Sequence, residues 1–167
     1  MALFPGPKWD ALQVAQGLMD TRPIPALTAP VRTLGAIVMA ESLGYVWAHG
    51  INHEGSGTPN TSVAYLAEGH GLAGMDDYWI MRTWHQYRTD DKGSELMRPY
   101  WEGTKSFSQL AKDPEWNLAM MWQVYLVNAA TRGWTGAFNG WTSYKNGRHE
   151  QFMGDASVAA RAVGAIP

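Results

Sequence analysis

The chain has no cysteine. Disulfides and thiolate metal sites are therefore excluded, and packing alone must hold the fold. Charge is also scarce: 17% of the 167 residues are charged, and the net charge is -2. Lys105, Lys112, Lys145, Arg148 and Arg161 are scattered rather than gathered into a basic stripe, so no nucleic-acid partner is expected. The sequence has no run of about 18 apolar residues, so no membrane insertion is expected. The opening MALFPGPKWD lacks the basic and apolar regions of a signal peptide. Work outside the cytoplasm would then depend on host lysis or on assembly into a particle. Period-two alternation is almost absent, as are internal repeats, which predicts a mostly α domain with little or no β.

What is present is apolar. Hydrophobic residues make up 46% of the chain, enough for a real core at a length that fits one domain. Nine tryptophans are an unusual load. They can pack in the core, or line a groove and stack on sugar rings, and composition does not separate the two uses.

Residues 7–20 read as an amphipathic helix with Trp9, Leu12, Ala15 and Met19 on one side, followed by Pro-rich TRPIPALTAP. Thr28 fits the N-cap of a second helix running to about Leu43, with Pro30 in its first turn and Gly44 as its terminator. Residues 44–65 and 67–78 read as long polar or Gly-punctuated loops, which in compact domains are often functional. Helices are expected near 77–87 and 94–105. The clearest helix is 113–132: Asp113 caps it, Pro114 opens it, and Arg132 with Gly133 closes it. It is apolar nearly all round, which places it mid-domain. An aromatic, Gly-rich loop and a short Ala-rich tail end the chain. The organisation is then 1–26 as an N-terminal helix and linker, 27–154 as the main domain, and 155–167 as a tail.

Within the second helix, Leu34, Ile37, Val38 and Glu41 share one face, so a carboxylate continues an apolar stripe. It is either half of a structural ion pair or a group kept to handle protons. The only cation of that helix, Arg32, lies more than two turns away. Burial and the negative end of the helix both disfavour a carboxylate's charge, which suits a general acid.

Three blocks, the first in two parts, carry a resemblance. TAPVRTLGAIVMAESLGY leads through a polar loop to GHGLAGMDDYW, then DPEWNLAMMWQVYLVN, then RGWTGAFNGWTSYKNGRHEQF. Together, over about residues 27–153, they resemble the lysozyme-like (soluble) lytic transglycosylases of the phage-borne peptidoglycan-hydrolase type. The resemblance implies a lysozyme-like fold, a bacterial peptidoglycan substrate and a place in a phage virion beside other virion proteins. It makes Glu41 the acid/base and Ser42 the hydroxyl that helps orient it. Gly71 and Leu72 match the family's Gly-Leu pair. Asn117 matches its helix asparagine, Tyr125 a tyrosine that reaches the glutamate, and Trp134, Trp141 and Tyr144 its aromatic ending; with Gly71 and Leu72 these are the substrate-binding residues the resemblance implies. No cofactor is implied.

The chain departs from the pattern where the family has Phe-Gln-Ile-Asn: here stand Ala73, Gly74, Met75 and Asp76. The glutamine that shapes the family's groove is thus absent. Asp76 replaces the asparagine and, among Glu54, Glu68, Asp76 and Asp77, is the candidate second acid for a hydrolase. A transglycosylase needs only Glu41. A third reading is a catalytically inactive virion module that keeps the fold for assembly or adhesion. His49, His53 and Glu54 have metal-like spacing but sit in a Gly-rich loop without a third ligand, so no metal is expected. Ser42 lacks a G-x-S-x-G elbow, and the glycines of 69–74 lack the Lys-Ser/Thr of a phosphate loop.

Overall fold

Asp113 accepts hydrogen bonds from the N–H groups of Glu115 and Trp116 and so starts the longest helix, Pro114–Arg132. Gly133, at φ +74°, ends it. The computed structural model describes residues 2–3, 6–51, 68–76, 80 and 92–167. Within these the chain is mostly α, as the missing period-two pattern predicts. In chain order the helices are α1 (Ala11–Thr21), α2 (Val31–Ser42), α3 (Lys92–Trp101), α4 (Phe107–Ala111), α5 (Pro114–Arg132), α6 (Thr142–Lys145) and α7 (Met153–Ala162). Two 3-10 turns, Trp134–Gly136 and Arg148–Phe152, flank α6. Four very short strands, β1 (Ala2–Leu3), β2 (His49–Ile51), β3 (Glu68–His70) and β4 (Met75–Asp76), form an antiparallel sheet in that order. Among the described residues no helix is long and apolar enough to cross a membrane.

Several boundaries move from their expected places. Helix α1 begins at Ala11, not at residue 7, because Asp10 and Gln13 form a reciprocal capping box. Its buried face is then Val14, Ala15 and Leu18, while Leu12, expected inside, is 49% exposed. Helix α2 starts at Val31 with Pro30 at its cap position, and Thr28 contributes only its backbone carbonyl to that turn. At its far end Leu43 and Gly44 both take positive φ. Only glycine fits at position 44, because a Cβ there would strike the Trp9 carbonyl while the Gly44 carbonyl accepts from the Trp9 N–H. Helix α3 starts two residues and ends four residues earlier than expected, and Gly103 at φ +71° follows its end.

The expected loop at 67–78 contains a hairpin, β3 and β4, whose strands are too short to show an alternating pattern. The expected tail is helix α7. Ala156, Ala159 and Ala160 give it a small buried face, and Ala156 Cβ lies 3.9 Å from where a Gly35 Cβ of α2 would sit, an ordinary packing distance. Helix α2 packs against α1 and α7, and α1 also meets α5. The helix expected at 77–87 falls outside the described residues except for Ile80, which belongs to the core. Residues 52–65 of the expected polar loop, with His53 and Glu54, also lie outside them.

The described tryptophans divide by use. Trp116, Trp122 and Trp141 are buried, and each indole N–H bonds a distant carbonyl: Leu96 at 2.8 Å, Leu18 at 2.9 Å and Ala73 at 3.0 Å. A buried indole needs such a partner, and these three tie α5 to α3, α5 to α1, and the 133–142 segment to the hairpin turn. Trp134 and Trp47 are exposed.

Candidate active site at the end of helix α2

Glu41 lies one residue before the end of α2 and is partly buried. Its Oε1 accepts from the Ser143 N–H at 3.2 Å. That N–H is in the first turn of α6, where backbone donors have no partner within the helix. Among the described residues the one ion pair is Lys92–Glu95, so no cation there pairs with Glu41. Of the two explanations for a carboxylate on this face, the ion pair is the one that finds no partner.

The Gly71–Gly74 turn approaches Glu41 from the other side. A Cβ on Gly74 would stand 3.2 Å from Glu41 Oε2, so a glycine leaves that oxygen unobstructed by a side chain. The turn needs glycines at both ends, with φ +73° at Gly71 and +57° at Gly74. Any Cβ at Gly71 would collide with the Ala111 carbonyl and the Asn117 amide.

Asn117 is wholly buried and has all its side-chain bonds directed inward. Its Oδ1 accepts from the Ala73 N–H at 2.9 Å, and its Nδ2 donates to the carbonyls of His70 (3.0 Å) and Ala111 (2.9 Å). Trp141 donates to the Ala73 carbonyl from above. Asn117, Trp141 and the fully buried Leu72 therefore fix the turn from inside, and a ligand would feel them through Gly74 rather than by touch. This differs from the direct substrate contact expected of them, because the core encloses all three. Asp76 is in β4, two residues past Gly74, with Met75 buried and Asp76 partly exposed.

Ser42 is also enclosed. Its hydroxyl donates to the Val38 carbonyl at 3.0 Å and accepts from the Gly44 N–H at 3.1 Å. The expected contact with the Glu41 carboxylate is thus replaced by a tie across the helix end. Ser42 holds the backbone beside Glu41 instead.

Tyr125, expected to reach the glutamate, sits in a row of aromatic rings. Trp134, Tyr125, Phe138, Tyr144 and His149 follow one another with centroid separations of 6.0, 5.1, 5.1 and 4.6 Å. Burial pushes the Tyr125 phenol above its ordinary value. Trp134 ends the row and is 64% exposed, the most open of the large rings among the described residues. In the sequence His149 and Arg148 stand only as part of the aromatic ending or as surface. Yet Arg148 Nη2 donates to the Ala40 carbonyl at 2.6 Å, and His149 Nδ1 lies 3.2 Å from the Ser143 carbonyl. Only their contacts through space reveal them; no spacing in the sequence does.

No family model, curated protein or solved structure matches this chain.

Proposed function

We propose that this protein cleaves the glycan strands of bacterial peptidoglycan with Glu41 as its single acid/base, in the manner of lysozyme-like lytic transglycosylases. The observation that carries this reading is the setting of Glu41. One oxygen is held by the Ser143 N–H, the other faces a glycine, and no cation pairs with it among the described residues. Such a carboxylate is oriented but not neutralised, which is what proton transfer requires. Glu41 protonates the glycosidic oxygen between N-acetylmuramic acid and N-acetylglucosamine, and an oxocarbenium-like species forms. The same group then takes the proton of the sugar's own C6 hydroxyl, and an anhydro ring closes. A hydrolase would instead use a second carboxylate to act on the sugar or activate water, and Asp76 on the same hairpin as Gly74 is the candidate. The exposed face of Trp134 suits stacking on a pyranose ring, with Tyr144 further along the row.

On the resemblance in sequence alone, such an enzyme would act in a phage tail or virion, among other virion proteins, or after release at host lysis. A second reading, a catalytically inactive lysozyme-fold module for virion assembly or adhesion, has one observation in its favour. The turn beside Glu41 offers a ligand only Gly74, since Leu72, Ala73 and Asn117 are wholly buried.

The test is mass spectrometry of purified peptidoglycan after incubation with the protein and with Glu41→Gln. Anhydro-muropeptides from the native protein, reduced about a hundredfold or more in the variant, are expected. Reducing-end products would move the reading to a hydrolase and to Asp76→Asn. Release by neither protein, across pH and several cell walls, would leave the structural module.

A further inference from the structure

The two residues behind Glu41 that no sequence pattern singled out act on it from both sides. Arg148 donates to the carbonyl of Ala40, the residue immediately before Glu41, at 2.6 Å. His149 engages the carbonyl of Ser143, whose own N–H holds the Glu41 carboxylate. A carbonyl can only accept, so the imidazole carries its proton on Nδ1 here. The His149 ring is 8% exposed and lies 4.6 Å from the Tyr144 ring, so its direction is set by packing. The 3-10 turn Arg148–Phe152 packs along α2, and so does α6.

We propose that Arg148 and His149 form a two-point clamp that positions the Glu41 carboxylate. Arg148 fixes the backbone from which Glu41 extends. His149 fixes the peptide that receives the carboxylate. Neither touches the reacting atoms, so both are positioning residues.

The geometry makes the clamp necessary. The Ser143–Glu41 bond is 3.2 Å long, at the far end of the normal range, and a single bond of that length orients a flexible side chain weakly. Its strength rests on how firmly the Ser143 peptide is held. Ser143 cannot hold itself, for its hydroxyl is wholly buried and has no hydrogen-bond partner. The Trp141 bond to Ala73 anchors the segment two residues earlier, and the His149 bond to the Ser143 carbonyl anchors the Ser143 peptide itself. The role in catalysis rests on the reading of Glu41 as acid/base; the geometric role does not.

The experiment separates these. In the intact protein the Ser143 amide is followed by 1H–15N NMR from about pH 3 to about pH 8, a range that spans carboxylate titration. Its proton shift is expected to follow Glu41, and Glu41→Gln abolishes that dependence. His149→Phe keeps a stacked ring but loses the donor, and Arg148→Met loses the bond to Ala40. Each is expected to reduce the amplitude by about half or more. His149→Asn, whose amide stands where Nδ1 stood, is expected to restore it. In peptidoglycan cleavage His149→Phe is expected to lower kcat about tenfold with KM unchanged, the mark of an effect exerted through Glu41 in the transition state alone.

An unchanged Ser143 titration in both His149→Phe and Arg148→Met would overturn the clamp, as would a Ser143 amide insensitive to pH in the native protein. Absence of cleavage by the native protein would sink the proposed activity instead, and the amide titration would still decide the clamp.

Discussion

Helix α5 carries two buried asparagines in opposite circumstances. Asn117, near its start, is wholly enclosed and makes three hydrogen bonds, all to the segment from His70 to Ala73 or to the Ala111 carbonyl. Asn128, eleven residues on, is 1% exposed, and its Nδ2 has no partner. That amide faces Gly140, where a Cβ would stand 2.7 Å from it. The same residue on one helix thus fastens a turn at one end and carries an unmet donor at the other. Burial of a polar group says little about its worth; the partners decide the sign.

Replacing each by the similarly shaped leucine sharpens the contrast. Asn117→Leu would strand the Ala73 N–H and two carbonyls in the interior. The expected loss is about 4 kcal/mol, with Tm lower by roughly 10 °C, read by calorimetry. The turn beside Glu41 should loosen too, so activity should fall further than stability alone explains. A loss below about 1 kcal/mol would mean that the three bonds contribute little net.

How far such effects were legible in the sequence depends on whether their cause is local. Asp113, Pro114 and Gly133 announced α5 because caps act on the next few residues. The capping box of Asp10 and Gln13 is equally local, and it moves the start of α1 and its buried face from the expected places. Ala156, Ala159 and Ala160 hold helical spacing, yet an alanine face has little contrast with its surroundings and read as a tail. The hairpin at 68–76 was beyond reach, since strands of two or three residues leave no period.

At the site, Glu41 was found from its place in an apolar stripe. The Asn117–Ala73, Trp141–Ala73 and Arg148–Ala40 bonds join residues 44, 68 and 108 apart, and no local pattern encodes such a meeting. The resemblance picked out Asn117 and Trp141 but implied direct contact with substrate. Their bonds to the turn give them another task.

Asn128→Leu should have the opposite sign. It removes a buried donor that nothing accepts, at nearly constant shape, so stability should rise by up to about 1 kcal/mol in chemical denaturation. A loss above about 2 kcal/mol would reveal that the amide has a partner after all, and the contrast between the two ends of α5 would collapse.

The smallest effect concerns Tyr125, one turn before Asn128 and buried among Trp122, Trp134 and Phe138. Burial raises its phenol above the ordinary tyrosine value, so the folded chain keeps this proton to higher pH than the unfolded chain does. As pH rises through the unfolded value, the unfolded state loses the proton first. Stability therefore falls with rising pH, until the folded phenol also ionises. Tyr125→Phe removes this component and keeps the ring. Urea midpoints at about pH 9 and about pH 11 should show the native protein losing more stability than the variant over that interval. Lysines titrate in the same range in both proteins, so only the difference between the two slopes reports on Tyr125. Parallel slopes would mean that water reaches the hydroxyl, and the Asn128 end of α5 would then be wetter than its packing implies.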